Sequence, residues 1–243
     1  AVYFVKGSTP GKRIIVAIGD ISEYQGDAIV NAANERGLGG NGVDGAITSA
    51  GGAQLEAARA ALPEVRPGVR IPTGTSVRTC GGDMAVKFVI HAVGPRYSDS
   101  VGGDSPFSGQ GSIDDPRGQP SLAGWGAQDS LLSSAYSTAL RLADGLDNIA
   151  VPLLSAGVFR GGRDIDAVIE IALSTISELS TSTPREVVVV CFDDQMAKRV
   201  NCVAGEIPGL STRHSLSLPA TATVPGGGGG GDGDGAGDGG GGG

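Results

Sequence analysis

Apolar and polar positions alternate between two patterns along this chain. Short apolar runs are typical of β-strands, whereas apolar residues that recur every three or four positions are typical of helices packed on a core. Predicted strands span residues 2–5, 13–18, 27–31, 75–79, 87–93, 149–154 and 186–192. Predicted helices span residues 43–62, with a break at Gly51-Gly52, and 129–142, 164–179 and 194–203. Strands that alternate with helices predict an α/β fold, in which a largely parallel sheet has helices on both sides.

A sheet of this kind binds ligands in the crevice beyond the carboxyl ends of its strands. The rule selects the segments that follow five predicted strands, which end at Ile18, Asn31, Val93, Leu154 and Phe192. Candidate chemistry is therefore sought in these five segments.

Composition restricts the class of protein. The chain has 243 residues, 40% of them hydrophobic and 4% aromatic, which suits an α/β domain and argues against a disulfide mini-protein, collagen or a coiled coil. The net charge is −8 and there is no basic block, so direct nucleic-acid binding is not expected. Apolar runs are too short to span a membrane, and we expect no membrane association. Two separated His and three Cys without CxxC spacing predict no metal site.

The chain has one internal low-complexity segment and one at its end. Residues 98–124, rich in Ser, Gly, Asp and Pro, are expected to form a surface insertion, and the Gly/Asp-rich residues 226–243 to be disordered. Cys191 ends an apolar run, where a buried reduced thiol is expected. We therefore expect an intracellular location, cytoplasm or nucleus, with an organelle left open because the chain starts at Ala1 rather than Met.

Residues 31–45, NAANERGLGGNGVDG, form a glycine-rich loop between a strand and a helix. Such a loop lets backbone N–H groups approach a diphosphate. Gly37–Gly42 also satisfies GxGxxG, so a Rossmann dinucleotide site is an alternative. The spacing argues against it, because a Rossmann glycine run begins at the strand end and here residues 31–36 intervene.

Three polar side chains of this loop have more than one interpretation. For Asn31 we favour a structural role, with its amide satisfying backbone groups of the loop. Asn34 is better placed to bind hydroxyl groups of a sugar. Asp44, in the first helical turn, either interacts with the helix dipole or orients a water molecule beside the bound phosphates.

The other crevice segments carry further candidates. Asp20 either caps the next element or accepts a hydrogen bond from an exocyclic amine such as that of adenine. Residues 155–158 can supply backbone N–H donors to the far side of a diphosphate, and Phe159 can form an apolar ligand wall or fill the core. His91 lies in an apolar run and is expected to be a core histidine, and His214 to be solvated.

These segments together resemble the macrodomain family, a group of ADP-ribose-binding modules. The match is carried by GDI at 19–21, DAIVNAAN at 27–34, LGGNGVDGAI at 38–47, PTG at 72–74, VIHAVGP at 89–95 and PLLSAGVF at 152–159. NAAN followed by a glycine loop and VDG is most similar to the MacroD-like hydrolase branch. That branch removes ADP-ribose from acidic side chains and deacetylates O-acetyl-ADP-ribose.

The resemblance implies a three-layer α/β/α macrodomain over residues 1–210, with a central mixed, largely parallel sheet. From its composition, the remainder at 211–243 is expected to be a disordered Gly/Asp-rich tail. The resemblance implies catalytic roles for Asn34, on the distal ribose, and Asp44, on the attacking water. It implies ligand contacts by Asp20, Ile21, Gly40, Asn41, Gly42, Val43, Ser155, Ala156, Gly157, Val158 and Phe159. No metal or cofactor is implied. The implied partners are ADP-ribose and ADP-ribosylated proteins, bound by a monomeric domain.

Four departures from the family pattern bear on turnover. Asn41 interrupts the usual run of glycines, although Asn tolerates left-handed backbone. Thr48 stands where many MacroD-like members have His, and Arg160 follows Phe159 where Gly and an aromatic are usual. The insertion at 98–124 is also long. The alternative is therefore a reader module that binds ADP-ribose or its polymer without hydrolysis.

Overall fold

The structure, a computed structural model, describes residues 1–5, 12–97, 125–178 and 184–212. Its strands are β1 (Val2–Val5), β2 (Arg13–Ile18), β3 (Gly26–Ala32), β4 (Ser76–Cys80), β5 (Val86–Ala92), β6 (Asn148–Pro152), β7 (Glu186–Cys191) and β8 (Leu210–Thr212). Its helices are α1 (Val43–Ala60), α2 (Gly126–Leu142), α3 (Ile165–Glu178) and α4 (Asp194–Glu206). Each predicted strand and helix is confirmed, with bounds that differ by three residues at most.

The eight strands form one mixed sheet in the order β4-β5-β3-β6-β7-β2-β1-β8. The five central strands, from β5 to β2, are parallel to one another. The strands at the two edges, β4 on one side and β1 with β8 on the other, pair antiparallel. The predicted α/β/α fold with a largely parallel sheet is confirmed.

Side chains of β3 show how the sheet separates two cores. Ala28 and Val30 belong to the larger buried cluster, which contains residues of α2, α3 and α4. Ile29 belongs to the smaller cluster with Ile47 of α1. Because strand residues alternate between the faces, Asn31 projects to the α1 side like Ile29. The register of this strand therefore directs Asn31 toward α1.

Helix α1 is broken where the sequence has Gly51-Gly52. Gly52 has φ 62° and ψ −164°, a conformation essentially restricted to glycine. A Cβ on Gly51 would collide with Leu55 of the same helix. The predicted break is thus a change of direction within α1, and this conformation requires glycine at both positions.

Strand β8 and two short 3₁₀ helices, Ile21–Glu23 and Val158–Arg160, have no counterpart in the sequence prediction. β8 has three residues and pairs antiparallel with β1 beyond the expected domain boundary at 210. A segment this short shows no periodicity, so its pairing depends on the tertiary fold. The predicted insertion at 98–124 and residues 213–243, with His214, lie outside the described residues.

Candidate active site

The strand order brings the candidate segments to one edge of the sheet. β5, β3, β6, β7 and β2 are consecutive and parallel, so the loops that follow them emerge side by side. The loop after β3 holds the glycine-rich segment, and the loop after the adjacent β6 holds residues 153–157. The two predicted halves of a diphosphate site are therefore neighbours.

A cleft of about 340 Å³ opens at this edge. It is lined by Gly19, Asp20, Ile21, Gly42, Val43, Ala46, Pro152, Val190 and Phe192. Four of these, Asp20, Ile21, Gly42 and Val43, belong to the site predicted from the sequence. The volume is in the range of small-ligand pockets.

Asp20 occupies the mouth of the cleft as an exposed carboxylate. Its Oδ1 accepts hydrogen bonds from the backbone N–H and the hydroxyl of Ser22, both at 2.8 Å, and so caps the 3₁₀ helix that follows. The structural alternative foreseen for Asp20 is confirmed. Both contacts use Oδ1 and neither uses Oδ2.

The glycine loop obtains its shape from three left-handed positions. Gly37, Gly39 and Gly42 have φ values of 72°, 110° and 62°. Asn41 is not among the residues with positive φ, so its tolerance of left-handed backbone is not what preserves the loop. A Cβ on Gly40 would lie 3.0 Å from Asp44 Oδ2 and 3.1 Å from Asn34 Nδ2, which leaves little room for a side chain.

Helix α1 begins at this loop without a side-chain cap, because its N-cap residue is Gly42. Uncapped N–H groups of a first helical turn, with the positive end of the helix dipole, favour an anion. Val43 is half-buried and lines the cleft next to Gly42. The arrangement supports the predicted role of this turn in holding phosphate.

The loop after β6 contains the one non-glycine residue with positive φ in the described ranges, Ser155 at 56°. Its hydroxyl donates to Pro95 O at 2.7 Å, and a Cβ on Gly94 would collide with that hydroxyl. Strained backbone of this kind is found where the surrounding structure holds it, often at binding sites. The hydrogen bond to Pro95 thereby holds the backbone of Ser155 in one orientation, which sets the direction of the loop residues that follow.

The remainder of this loop presents one exposed side chain and one covered ring. Val158 is 88% exposed, whereas the Phe159 ring lies under the guanidinium of Arg96 at 4.7 Å. Arg160 Nη1 donates to Arg163 O at 2.8 Å. Arg160 also lines, with Ala156, a second cleft of about 260 Å³ that does not include the glycine loop. Its guanidinium is therefore held within its own loop.

Asp44 is buried behind the glycine loop and is 3% exposed. Its Oδ1 accepts from Asn31 Nδ2 at 2.7 Å and pairs with Arg59 Nη1 at 2.8 Å. Its Oδ2 lies 3.5 Å from Asn34 Nδ2, on the side of Gly40. One oxygen is held from the interior and the other faces the loop.

Asn34 also shapes the loop that it belongs to. Its Nδ2 donates to Gly39 O at 3.0 Å, and its Oδ1 accepts from Arg36 N at 3.1 Å. The two predicted catalytic side chains, Asn34 and Asp44, are therefore brought together by a loop that one of them organises.

Asn31 does not satisfy loop backbone groups with its side chain, and that prediction is wrong. Its amide donates to Asp44 and contacts His91 Nδ1 at 3.0 Å. His91 Nε2 lies 2.9 Å from Thr79 Oγ1, which donates to Cys80 O. The network requires a neutral His91 with the proton on Nε2. Burial, with a smaller contribution from the charge of Arg59, lowers the pKa of His91 to about 3. His91 is thus the predicted core histidine.

Sequence comparison establishes the family. The Macro domain family model matches residues 30–106. A macro domain-containing protein of Cupriavidus necator is 38% identical over 189 residues, which cover 76% of this chain and 93% of that protein. The chain belongs to the macro domain family. An O-acetyl-ADP-ribose deacetylase of Escherichia coli K12 is 37% identical over 189 residues, covering 76% of this chain and 91% of the relative.

Solved structures of macrodomains have the same fold as this chain. The macrodomain of Oceanobacillus iheyensis with MES bound superposes with a TM-score of 0.65 at 29% identity, covering 84% of this chain and 96% of its own. A variant of that protein with ADPR gives a TM-score of 0.64 at 29% identity, covering 84% and 97%. The macrodomain of Trypanosoma brucei in complex with ADP-ribose gives 0.55 at 27%, covering 78% and 68%.

Sequence reasoning missed two residues of this macro domain. Phe192 directly follows β7, is 90% exposed and lines the cleft that contains Asp20. An aromatic at the carboxyl end of a strand was a usable signal for a ligand wall. Arg59 had no such signal, because it lies among alanines near the end of α1. Within the described ranges, no group of three or more His, Cys, Asp or Glu is arranged to hold a metal, and no helix is long and apolar enough to cross a membrane.

Proposed function

We propose that this macro domain binds ADP-ribose in the cleft and hydrolyses ester-linked ADP-ribose, both on Asp and Glu side chains of proteins and in O-acetyl-ADP-ribose. The observation that carries the proposal is the Asp44 carboxylate at the start of α1, with Oδ2 directed to Asn34 and Gly40. The names of the relatives that deacetylate O-acetyl-ADP-ribose support the same reaction class.

The proposed ligand position follows from the charges and shape of the cleft. Adenine enters beside Ile21 and Phe192, with its amine donating to Asp20 Oδ2. The diphosphate is held by backbone N–H groups of residues 40–43 and 155–159. On the side of Gly42 and Val43 the cleft lining includes no Lys or Arg, so backbone N–H groups are the donors there. The distal ribose then reaches Asn34, Phe159 and Asp44.

The proposed reaction consumes one water. Asp44 Oδ2 accepts a hydrogen bond from that water and orients it toward the ester. The ester C–O bond is cleaved, one product keeps a ribose hydroxyl, and the other is a carboxylic acid that loses its proton to solvent at neutral pH. Asn34 holds the distal ribose during the attack.

A second candidate function, reading ADP-ribose without turnover, is favoured by one observation. Asp44 is almost fully buried, and its Oδ1 is already occupied by Asn31 and Arg59. A carboxylate held in this way has only Oδ2 left to bind water. Hydrolysis requires that Oδ2 bind the attacking water, and without that contact the domain would bind ADP-ribose without turnover.

Binding is tested by calorimetry with ADP-ribose on wild type and Asp20→Asn, which keeps a capping oxygen for Ser22 and loses the charge. We expect the variant to bind more weakly by about 1–3 kcal/mol, the value of a hydrogen bond to a charged group. Asp144→Asn, the same change at an exposed residue between α2 and β6, is the control. Equal affinity of Asp20→Asn and wild type would remove the adenine contact.

Turnover is tested by release of ADP-ribose from a protein modified on glutamate, with wild type and Asp44→Asn compared. We expect release by wild type and a loss of at least about 100-fold in kcat for the variant, as for other groups that orient a reacting water. Binding without release by wild type would leave the reader, and absence of binding would contradict both functions.

A further inference from the structure

The guanidinium of Arg59 lies directly behind Asp44, and the side chain is 1% exposed. Nη1 pairs with Asp44 Oδ1 at 2.8 Å and donates to Thr48 Oγ1 at 2.8 Å. Nε donates to Gly37 O at 2.6 Å. A single buried cation therefore contacts the carboxylate, the next turn of α1 and the glycine loop.

These contacts enclose Asp44 on both its side chain and its backbone. Thr48 Oγ1, which accepts from Arg59, itself donates to Asp44 O at 2.7 Å. Asn31 shares Oδ1 with Arg59. Because Oδ1 is held by the Asn31 hydrogen bond and the Arg59 ion pair, rotation of the carboxylate would break both contacts, so Oδ2 stays on the side of Gly40.

A need for stability alone does not explain this arginine. Burying an ion pair is costly, and well-packed apolar residues of similar volume are often as stable or more stable. Arg59 Nη2 has, moreover, no hydrogen-bond partner among the described residues. The Arg59 guanidinium is buried at this cost, and its charge faces Asp44. This arrangement points to a role in the site.

The break in α1 is what brings the two residues together. Arg59 follows Asp44 by 15 positions, which in a straight helix is a separation of about 22 Å. That is farther than an extended arginine and an aspartate can span. The change of direction at Gly52 returns the second half of α1 toward the glycine loop, and the 2.8 Å contact results.

We propose that Arg59 is a positioning residue for hydrolysis: it fixes the Asp44 carboxylate so that Oδ2 addresses the attacking water. Arg59 does not contact the substrate and acts through Asp44. This inference rests on the proposed function, since the water that Oδ2 orients is the one consumed in ester hydrolysis.

The test measures kcat, KM and the ADP-ribose Kd for wild type, Arg59→Met and Arg59→Lys. Met removes the charge at similar length, and Lys keeps the charge but cannot contact Gly37 and Asp44 together. We expect kcat to fall by at least about tenfold for Met and about threefold for Lys, with KM and Kd within about threefold of wild type. Arg13→Met is the control. It removes an exposed ion pair with Glu186 at the amino ends of β2 and β7, whereas the site lies at the carboxyl ends of the strands.

A double-mutant cycle separates positioning from general stability. In an Asp44→Asn background, Arg59→Met should lower kcat no further, because the group through which Arg59 acts is already lost. Equal losses in both backgrounds, or wild-type kcat for both Arg59 variants, would overturn the inference. If Arg59→Met does not fold, as judged by thermal unfolding, Arg59→Lys decides, and wild-type kcat for that variant overturns the inference.

Failure of the proposed function has a different signature. If wild type binds ADP-ribose but releases none from a modified protein, hydrolysis is contradicted and there is no kcat to compare. Crystal structures of Arg59→Met and Arg59→Lys then decide separately whether Arg59 fixes the Asp44 carboxylate. A rotated Asp44 carboxylate that has lost its contact with Asn31 supports positioning by Arg59, and an unmoved carboxylate overturns it.

Discussion

His91 shows how one buried side chain links the site to the stability of the whole domain. Its two ring nitrogens contact Asn31 and Thr79, and Asn31 in turn holds Asp44. In the unfolded chain an imidazole has a pKa of about 6.5. In the folded domain burial lowers the pKa of His91 to about 3. Between these two values the unfolded state binds a proton that the folded state excludes.

Stability should therefore fall as the pH is lowered through about 6.5, by on the order of 2 kcal/mol between pH 7 and pH 5. Urea unfolding at the two pH values measures the change. Asp27 and Asp166 do not interfere, because the hydrogen bonds from Lys87 and Arg199 lower the pKa values of these carboxyls below 3.8.

His91→Gln is the matched control for this prediction, because Gln can both accept from Asn31 and donate to Thr79 but does not titrate. Its stability should change less between pH 7 and pH 5 than that of wild type. His214, the other histidine of the chain, is common to both proteins, so its contribution cancels. The same pH dependence in wild type and variant would contradict a neutral buried His91.

At the scale of the element, the two halves of α1 depend on Gly52. An alanine there would have to adopt φ 62° and ψ −164°, and its Cβ would displace the carboxylate of the exposed Asp83. We expect Gly52→Ala to lower the free energy of unfolding by about 1–3 kcal/mol. Chemical denaturation measures this. In the hydrolysis assay the variant should also lose kcat, because straightening α1 separates Arg59 from Asp44.

Gly205→Ala makes the same change in a regular helix. Gly205 is exposed in α4, and an added Cβ meets nothing within 4 Å. Alanine should raise the free energy of unfolding there by about 0.5–1 kcal/mol, since glycine is the poorer helix former. Equal effects of the two substitutions would mean that the break in α1 is not held by Gly52.

The elements were predictable because their determinants are local. The apolar run that contains Val30 reads as a buried strand, and Gly51-Gly52 reads as a break, from neighbouring residues alone. The pairing of Asp44 with Arg59 was not predictable, because it depends on the direction in which α1 continues after Gly52. β8 was missed for a related reason: its three residues become a strand only where β1 offers an unpaired edge.

At the scale of the whole molecule, the site and the core share β7. Cys191 ends this strand as a free thiol, 1% exposed, between Val190 and Phe192 of the cleft. Burial, with a contribution from Asp193, raises the pKa of Cys191 to about 11. The predicted burial of this thiol is confirmed. Its reaction with a thiol reagent at neutral pH therefore requires the central sheet to open.

Labelling of Cys191 should thus report opening of the molecule and its suppression by ligand. In a Cys80→Ser/Cys202→Ser variant, Cys191 is the one thiol left of three. When reclosing is faster than labelling, the rate follows the open population. ADP-ribose at 100 times its Kd should then slow labelling about 100-fold, because it binds only the closed form.

The exposed Cys202, studied in a Cys80→Ser/Cys191→Ser variant, should label quickly with and without ligand. Labelling of Cys191 as fast as Cys202 would contradict its burial. An unchanged Cys191 rate where calorimetry shows saturation would mean that ADP-ribose does not couple to the strands beneath the cleft.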